Sequence, residues 1–235
     1  MNTIRFSIRK HIPFTRTITD RMRQVMNIFG LTLFRLRKQA FNHTLDIELG
    51  SGDICYITGR SGTGKSILLN ALYAHVPERD RLRLNDIPLE ADQSLIDSIG
   101  RVNDSLFETL DILAAAGLSD VLAMLSRPQD LSTGEIYRYR LARAILSGKR
   151  FIFADEFMAS VDCLTAAVVS RRLRDIARRT GGIFIFAGVR SDLIVDLAPD
   201  IIVVKHPAGL TDIIYRDPAR QQKTSSPRES YAHVS

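Results

Sequence analysis

The stretch "GRSGTGKS", residues 59–66, decides which fold this sequence can adopt. It fits the pattern G-x-x-x-x-G-K-[ST], and it lies between a short apolar strand, "ICYITG", and a helix, "KSILLNALYAHV". That strand–loop–helix context is typical of a phosphate-binding loop, the P-loop. Its glycines let backbone N–H groups turn toward phosphate oxygens, and the helix N-terminus adds favourable dipole charge. The predicted nucleotide-binding residues are Gly59, Arg60, Ser61, Gly62, Thr63, Gly64, Lys65 and Ser66.

The second half of such a site is an acidic group at the end of a buried strand, and "FIFADE", residues 151–156, supplies it. We expect Lys65 to reach the β- and γ-phosphates and Ser66 to offer its hydroxyl to Mg²⁺. Asp155 is predicted to hold the metal through a water molecule. Glu156 is predicted, with Lys65, to be catalytic, because a carboxylate beside the γ-phosphate can deprotonate the attacking water. The expected ligands are therefore ATP and Mg²⁺.

Strands alternate with helices along the chain, which predicts an α/β fold with a mainly parallel sheet. We divide the chain into a basic N-terminal strand–helix extension (1–41), a nucleotide-binding domain (42–216) and a disordered tail (217–235). In the extension, apolar residues at helical spacing predict an amphipathic helix that buries Met22 and Met26 and ends at Gly30.

Charge and composition narrow the class of protein further. The net charge is +6, and residues 1–41 carry nine Lys and Arg residues against one acid, so the remainder is slightly acidic. A basic face attracts nucleic acid or an anionic membrane. No apolar run approaches the roughly 20 residues that span a bilayer, and the N-terminus does not resemble a secretory signal. Cys55 and Cys163 are expected to be buried thiols in a cytoplasmic protein.

Two further motifs carry a family resemblance. "LSTGE", residues 131–135, followed by "IYRYRLARAI", resembles the LSGGQ signature of the ABC-type ATPases and the helix behind it. "MASVD", residues 158–162, resembles the D-loop of that superfamily, with Asp162 as its acid. The resemblance covers roughly residues 40–206 and implies a P-loop NTPase fold of the ABC cassette type. Within it, the pattern around Tyr137 and Arg138 resembles a group of soluble ATPases that are often joined to an acetyltransferase domain.

The resemblance implies a homodimer in which two cassettes meet head to tail around two ATP molecules. Ser132 and Gly134 would then contact the nucleotide that is bound by the partner subunit. The alternative is that Ser132 only caps the helix that follows, and the two roles are compatible because both use one helix end. Thr133 and Glu135 depart from the family signature and would weaken that contact.

Three other family positions also depart from the pattern. A switch histidine is missing, and Val189 or Arg190 occupies its place in "AGVRSDL". Arg190 is a candidate to contact the γ-phosphate instead, since its guanidinium is always charged. The γ-phosphate-sensing glutamine is replaced by Asn103 or Asp104. The adenine-stacking aromatic residue is Phe34 or, alternatively, Phe41.

Two functions are consistent with these features. The first is a soluble, non-transport ATPase whose ATP-driven dimerisation acts on nucleic acid or on a protein partner. The basic extension and the arginine-rich helix after Asp162 favour its nucleic-acid form. The alternative is the ATP-binding cassette subunit of a membrane transporter, which would meet the membrane only through a separate subunit. A third reading is a nucleotide-binding switch that scarcely hydrolyses ATP.

Overall fold

The computed structural model describes residues 3–12, 15–38, 41–90, 92–99, 105–207 and 210–224. The strands are β1 (Ile4–Ile12), β2 (Phe41–Leu49), β3 (Ile54–Thr58), β4 (Arg81–Arg83), β5 (Phe151–Ala154), β6 (Ile183–Ala187), β7 (Ile201–Lys205) and β8 (Thr211–Tyr215). The helices are α1 (Asp20–Ile28), α2 (Leu33–Lys38), α3 (Lys65–His75), α4 (Leu95–Ser98), α5 (Leu106–Ala115), α6 (Val121–Leu125), α7 (Thr133–Leu146), α8 (Cys163–Thr180), α9 (Leu193–Leu197) and α10 (Pro218–Thr224). Single 3₁₀ turns lie at Glu78–Asp80, Leu84–Asp86 and Pro128–Asp130.

The central sheet has the strand order β4-β5-β6-β3-β7-β8. All its neighbouring strands run parallel except β7 and β8, which are antiparallel. The prediction of a mainly parallel α/β sheet is therefore confirmed. Because the strands β3, β5 and β6 are adjacent and parallel, the loops after their carboxyl ends meet at one edge of the sheet.

Side chains of the central strands alternate between two cores. On β3, Cys55 and Ile57 face a core that contains α3 and the β1–β2 sheet, while Ile54 and Tyr56 face the opposite core, which contains α5, α7 and α8. Strand β5 divides in the same way, and both of its faces are buried. A sheet that is covered on both sides explains why "FIFA" reads as a continuous apolar run.

The first strand does not belong to a separate extension. β1 pairs antiparallel with the whole of β2, from Ile4 opposite Leu49 to Ile12 opposite Phe41. Inward residues such as Phe6 and Leu45 are buried in the same core as α3. The predicted boundary at residues 41/42 therefore cuts through one two-stranded sheet, because the local pattern of "TIRFSI" does not reveal its distant partner strand.

Two packing predictions near the chain surface need correction. Met26 is buried, but Met22 is only half-buried, and α1 turns most of its other apolar side chains outward. Thr19 caps α1 by accepting a hydrogen bond from the N–H of Met22 (3.3 Å). Cys55 is buried, and burial raises the pKa of its thiol to about 12. Cys163 is exposed instead, because it begins α8 on the solvent side of the helix.

The predicted disordered tail is wrong for its first residues, which form α10. Arg220 anchors this helix through an ion pair with Asp53 (2.9 Å) and a hydrogen bond to the carbonyl of Glu48 (2.5 Å). These long-range partners are not visible in the polar composition of the segment. Residues 225–235 lie outside the described part of the chain.

Within the described ranges, no helix combines the length and the apolar character that crossing a membrane requires.

Candidate functional site

The P-loop connects the end of β3 at Thr58 to the start of α3 at Lys65. Gly59 and Gly64 have φ values of 137° and 93°, which L side chains rarely adopt. A Cβ atom on Gly59 would overlap the carbonyl oxygen of Lys205, and one on Gly64 would overlap the imidazole of His43. The loop therefore depends on glycine at both positions, for backbone conformation and for space.

Two buried titratable residues support the loop from behind, and sequence reasoning missed both. Burial lowers the pKa of His43, and the nearby charge of Lys205 lowers it further, so His43 is neutral. Burial also lowers the pKa of Lys205, whose Nζ donates to Thr211 Oγ1 (3.0 Å). One signal was present, since His43 shares the inward parity of Leu45 and Ile47 on β2.

Lys65 lies across the mouth of the loop. Its Nζ donates to the carbonyls of Gly59 (2.9 Å) and Arg60 (3.0 Å). Partial burial lowers the pKa of Lys65, and the negative charge of Asp155 acts in the opposite direction. The ammonium is therefore held inside the loop and faces the carboxylate that follows β5.

The loop forms one wall of a cleft of about 540 Å³, a volume within the usual range for small-molecule sites. Its P-loop wall is lined by Ser61, Gly62, Gly64, Lys65, Ser66 and Ile67, and its opposite wall by Asp155, Glu156, Phe157, Ala159, Gly188, Val189 and Arg190. The structure thus brings the predicted metal and catalytic residues to the P-loop. Thr63 is buried, and its hydroxyl donates to the carbonyl of Arg60 (2.8 Å).

Asp155 and Glu156 lie where the sheet ends. The N–H of Glu156 donates to Asp155 Oδ1 (3.0 Å), and Glu156 has a φ of 51°, which is uncommon for a residue with a side chain. The next residue, Phe157, holds this turn because its N–H donates to Ala187 O (2.8 Å) and its ring stacks on Phe186 at 4.2 Å. The turn leaves the Glu156 side chain exposed in the cleft.

Arg190 lines the cleft, but its guanidinium is engaged elsewhere. Nη1 donates to the carbonyls of Met158 (3.1 Å) and Val161 (2.9 Å), and Nη2 donates to Asp192 (2.7 Å). The hydrogen bond that Arg190 donates to Asp192 is the main cause that raises the pKa of Arg190. Arg190 therefore ties the end of β6 to the segment 158–162. Its predicted contact with a γ-phosphate stays a prediction.

Gly188, which follows β6, lies directly against the hydroxyl of Tyr56. A Cβ atom on Gly188 would lie 2.7 Å from Tyr56 Oη. That hydroxyl donates to the carbonyl of Arg190 (2.9 Å), and burial raises the pKa of Tyr56 to about 12. Sequence reasoning missed this contact, because Tyr56 reads as one more apolar residue of β3.

The signature segment lies outside this chain's own cleft. Ser132 caps α7, and its Oγ accepts from the N–H of Glu135 (3.3 Å) while Glu135 Oε2 accepts from the N–H of Ser132 (2.8 Å). A Cβ atom on Gly134 would lie 2.9 Å from Ser160 O, so this glycine permits close packing against the segment 158–162. Asp162 caps α8 by accepting from the N–H of Thr165 (2.9 Å).

The donor set of the cleft fits Mg²⁺. Ser66 and Asp155 both line it and present a hydroxyl and a carboxylate. Mg²⁺ is usually held by one or two carboxylates together with substrate phosphates and water, and not by an all-protein cage. Consistent with this, no cluster of three or more metal-ligating side chains occurs among the described residues.

The adenine-stacking candidate Phe34 is 72% exposed and does not line the cleft. The side chain of Phe41 and the candidate sensing residues Asn103 and Asp104 lie outside the described part of the structure.

Solved structures with the same architecture are ABC cassettes. The dimeric structure of MJ0796, a bacterial ABC transporter cassette, aligns with a TM-score of 0.60 at 18% identity, covering 74% of this chain and 89% of that one. The ADP conformation of MJ1267, an ATP-binding cassette of an ABC transporter, gives a TM-score of 0.59 at 17% identity, covering 80% and 91%. The predicted ABC cassette fold is confirmed.

Two of the similar sequences are named import ATP-binding proteins. The aliphatic sulfonates import ATP-binding protein SsuB of Yersinia pestis is 30% identical over 158 residues, which cover 57% of this chain and 58% of that protein. The nickel import ATP-binding protein NikD of Brucella abortus is 25% identical over 222 residues, covering 78% and 85%. The match thus spans little more than half of the SsuB relative.

The family model for ABC transporters matches residues 42–159. This range is half of the chain, and it includes β2 and β3, the P-loop, the helices α3–α7, the signature segment and the Asp155–Glu156 pair. The matched range contains every lining residue of the P-loop wall and most of those of the opposite wall. This chain belongs to the ABC transporter family.

Proposed function

We propose that this chain binds ATP with Mg²⁺ in the P-loop cleft, hydrolyses the ATP as a head-to-tail dimer, and serves as the ATP-binding subunit of a membrane transporter. The observation that carries the proposal is the common cleft, lined by Lys65 and Ser66 on one wall and by Asp155 and Glu156 on the other. The family supports it, since ABC cassettes bind and hydrolyse ATP.

In the proposed reaction the chain supplies charge, orientation and a base. The loop amides and the Lys65 ammonium hold the phosphates, while the Ser66 hydroxyl and the Asp155 carboxylate face the metal position. Mg²⁺, when bound, neutralises charge that develops on the phosphate oxygens. Glu156 is exposed in the cleft, and its carboxylate accepts a proton from the attacking water.

Dimerisation is proposed because the signature does not reach this chain's own cleft. Ser132 is exposed at the start of α7, and Gly134 lies against the segment 158–162. A second copy related by a twofold axis would bring its Ser132 and Gly134 toward the phosphate bound by Lys65, which completes the site. The dimeric state named for the similar cassette MJ0796 supports this arrangement.

The transporter role rests on the relatives and on an exposed apolar patch. SsuB and NikD are import ATP-binding proteins. In this chain five apolar side chains on α5 and α6 are more than half exposed: Leu106, Phe107, Val121, Leu122 and Leu125. We assign these side chains to the contact with a membrane-spanning partner subunit that holds the cassette at the cytoplasmic face, since contiguous exposed apolar surface marks interaction sites.

The competing proposal is a non-transport ATPase that acts on nucleic acid or a protein, in the acetyltransferase-associated group. Its nucleic-acid form draws on the basic N-terminal segment and on the arginines of α8. Several of those arginines are already engaged: Arg171 pairs with Asp196 (2.6 Å), Arg178 pairs with Asp200 (3.1 Å), and Arg174 donates to Ala198 O (2.5 Å). The nucleic-acid form is therefore the weaker proposal.

ATPase rates and dimerisation test the proposal together. Glu156→Gln is expected to lower the hydrolysis rate by roughly 10²–10³-fold, because the base is lost, while ATP binding remains. In light-scattering chromatography this variant should be a dimer with MgATP and a monomer without it. Glu108→Gln, an exposed acid on α5, is the matched control and should behave like the unmodified protein.

Two results would contradict the proposal. A Glu156→Gln protein that stays monomeric with MgATP overturns the dimer. A hydrolysis rate that DNA or RNA stimulates strongly, and that falls steeply as salt rises, favours the nucleic-acid alternative over the transporter role.

A further inference from the structure

Residues 20–35 form a surface, which we call the α1–α2 surface, on which several large apolar side chains are exposed to solvent. In α1 only Met26 is buried. The exposed apolar side chains, with their exposed fractions, are Val25 (49%), Ile28 (77%), Phe29 (73%), Leu33 (45%) and Phe34 (72%). They lie within ten consecutive residues. Core burial therefore does not account for the apolar character of this segment.

Arginines flank these apolar side chains along the sequence. Arg21, Arg23 and Arg35 are exposed on the same segment. Asp20 is the single acid among residues 1–41, and it forms an ion pair with Arg23 (3.5 Å). Neither Arg21 nor Arg35 forms an ion pair with an acid in the ranges that the structure covers. The α1–α2 surface therefore combines exposed apolar side chains with uncompensated positive charge.

We propose that the α1–α2 surface binds peripherally to an anionic lipid membrane. Exposed Ile28, Phe29 and Phe34 would enter the boundary between headgroups and acyl chains, and the arginines would meet lipid phosphates. Amphipathic helices that lie in the membrane interface show this combination of an apolar face and flanking basic residues. The attraction to anionic lipid adds to the free energy gained by apolar burial. The inference does not require ATP hydrolysis or any particular transport cargo.

The chemistry of the α1–α2 surface favours lipid over two other occupants. Single-stranded nucleic acid binds through aromatic stacking in a basic groove, whereas three of the five exposed side chains, Val25, Ile28 and Leu33, are aliphatic and offer no stacking face. A stable dimer interface buries about 800 Å² on each partner. Five side chains within residues 25–34, with positively charged arginines on both copies, do not provide such a self-complementary area.

The chain contains no tryptophan, so one substitution creates a specific reporter. In the full chain, Phe29→Trp should shift its fluorescence to shorter wavelength with vesicles of phosphatidylglycerol and phosphatidylcholine. Phosphatidylcholine vesicles alone should give a much smaller shift. The matched reporter is Val195→Trp on α9, which replaces an 82% exposed apolar residue and should not respond.

Sedimentation with the same vesicles measures affinity. Arg21→Gln/Arg35→Gln is expected to weaken binding about tenfold or more, as is Ile28→Ser/Phe29→Ser. Arg172→Gln/Arg179→Gln removes equal charge from the exposed face of α8 and should change binding little. Nucleotide binding by each variant reports whether it is folded.

Three outcomes overturn the proposal. The first is no binding of the full chain to anionic vesicles. The second is equal loss of binding in the two arginine pairs, which indicates only net charge. The third is a Phe29→Trp response to a single-stranded oligonucleotide, or to self-association, without a response to vesicles. Because nucleotide binding is measured separately, failure here is distinguishable from failure of the proposed ATPase function.

Discussion

Two helix N-termini in this molecule carry glycine-containing motifs, and they are capped in opposite ways. The helix α3 begins after Gly64, which has a φ of 93° and makes no side-chain cap. The helix α7 begins after Ser132, where a reciprocal capping box is formed with Glu135. In that box Glu135 Oε2 accepts from the N–H of Ser132 (2.8 Å) and also from its hydroxyl (2.6 Å).

The two N-termini therefore differ in how many N–H groups are left available to bind a phosphate. The first N–H groups of a helix lack partners within it and attract anions. In α3 no side chain caps them, so a bound phosphate can take that place. In α7 the Ser132 hydroxyl oxygen already accepts from the N–H of Glu135, and the Glu135 carboxylate accepts from the N–H of Ser132. Hydrogen bonds from the Ser132 side chain and then its backbone lower the pKa of Glu135, which keeps that carboxylate ionised. In the proposed dimer, a partner's γ-phosphate would therefore be accepted beside, or in place of, an existing negative charge.

The largest expected effect on stability comes from replacing a glycine at the N-terminus of α3. Gly64→Ala should destabilise the fold by about 2–4 kcal/mol, since it adds positive-φ strain and an overlap with buried His43. Urea denaturation measures the change. Gly62→Ala is the matched control, because Gly62 has a φ of 78° but no atom within 4 Å of an added Cβ. Its cost should be only about 1–2 kcal/mol.

The pair of glycine variants isolates the contact with His43. Gly64→Ala is expected to lower the free energy of unfolding more than Gly62→Ala does. In a His43→Ala background, Gly64→Ala should cost less than in the unmodified protein, because the overlapping imidazole is absent. Equal destabilisation by Gly64→Ala and Gly62→Ala would contradict the view that the P-loop is packed directly against β2.

The second prediction concerns the segment that supports α7. Arg190 donates to Met158 O and Val161 O, and this segment lies against Gly134. Arg190→Ala should therefore lower the hydrolysis rate about tenfold, equivalent to about 1.4 kcal/mol, with ATP affinity of the monomer unchanged. Arg172→Ala, an exposed arginine on α8, is the control.

The same variant separates the two roles considered for Arg190. A fall in ATP affinity without a fall in ADP affinity would favour a direct γ-phosphate contact over the tie to the segment 158–162. An unchanged hydrolysis rate in Arg190→Ala would contradict both the γ-phosphate contact and the tie to the segment 158–162.

The contrast between the two helix ends also explains what the sequence predicts well. The P-loop works through its backbone, so a contiguous pattern from Gly59 to Ser66 is sufficient to identify it. The acids Asp155 and Glu156 were found because a buried strand ends immediately before them. The cap at Ser132 was also foreseen, since its partner Glu135 is only three residues away.

The parts that the sequence could not predict depend on side chains that are distant along the chain. Tyr56 fills the space beside Gly188, 132 residues later, and its role depends on the parallel pairing of β3 with β6. The partner of β1 is separated from it by α1 and α2, so local alternation alone suggested a separate lobe. Arg220 likewise ties α10 to Asp53 across most of the sequence. In each of these three cases, no local sequence pattern includes both partners of the contact.

The smallest expected effect tests the capping box itself. Glu135→Ala should destabilise the protein by about 0.5–1 kcal/mol at pH 7, because one of the two reciprocal hydrogen-bonded groups is lost.

The pKa of Glu135 is lowered in the folded protein from its ordinary value of 4.5, so its contribution is complete above that pH and disappears as the pH falls through the lower folded value. Urea denaturation at pH 7 and at pH 3 should therefore give a smaller difference between variant and unmodified protein at the lower pH. Asp111→Ala, an exposed acid within α5, provides the control for general charge effects. A difference that is the same at both pH values would mean that Glu135 contributes through packing and not through its ionised carboxylate, and the cap of α7 would then rest on Ser132 Oγ.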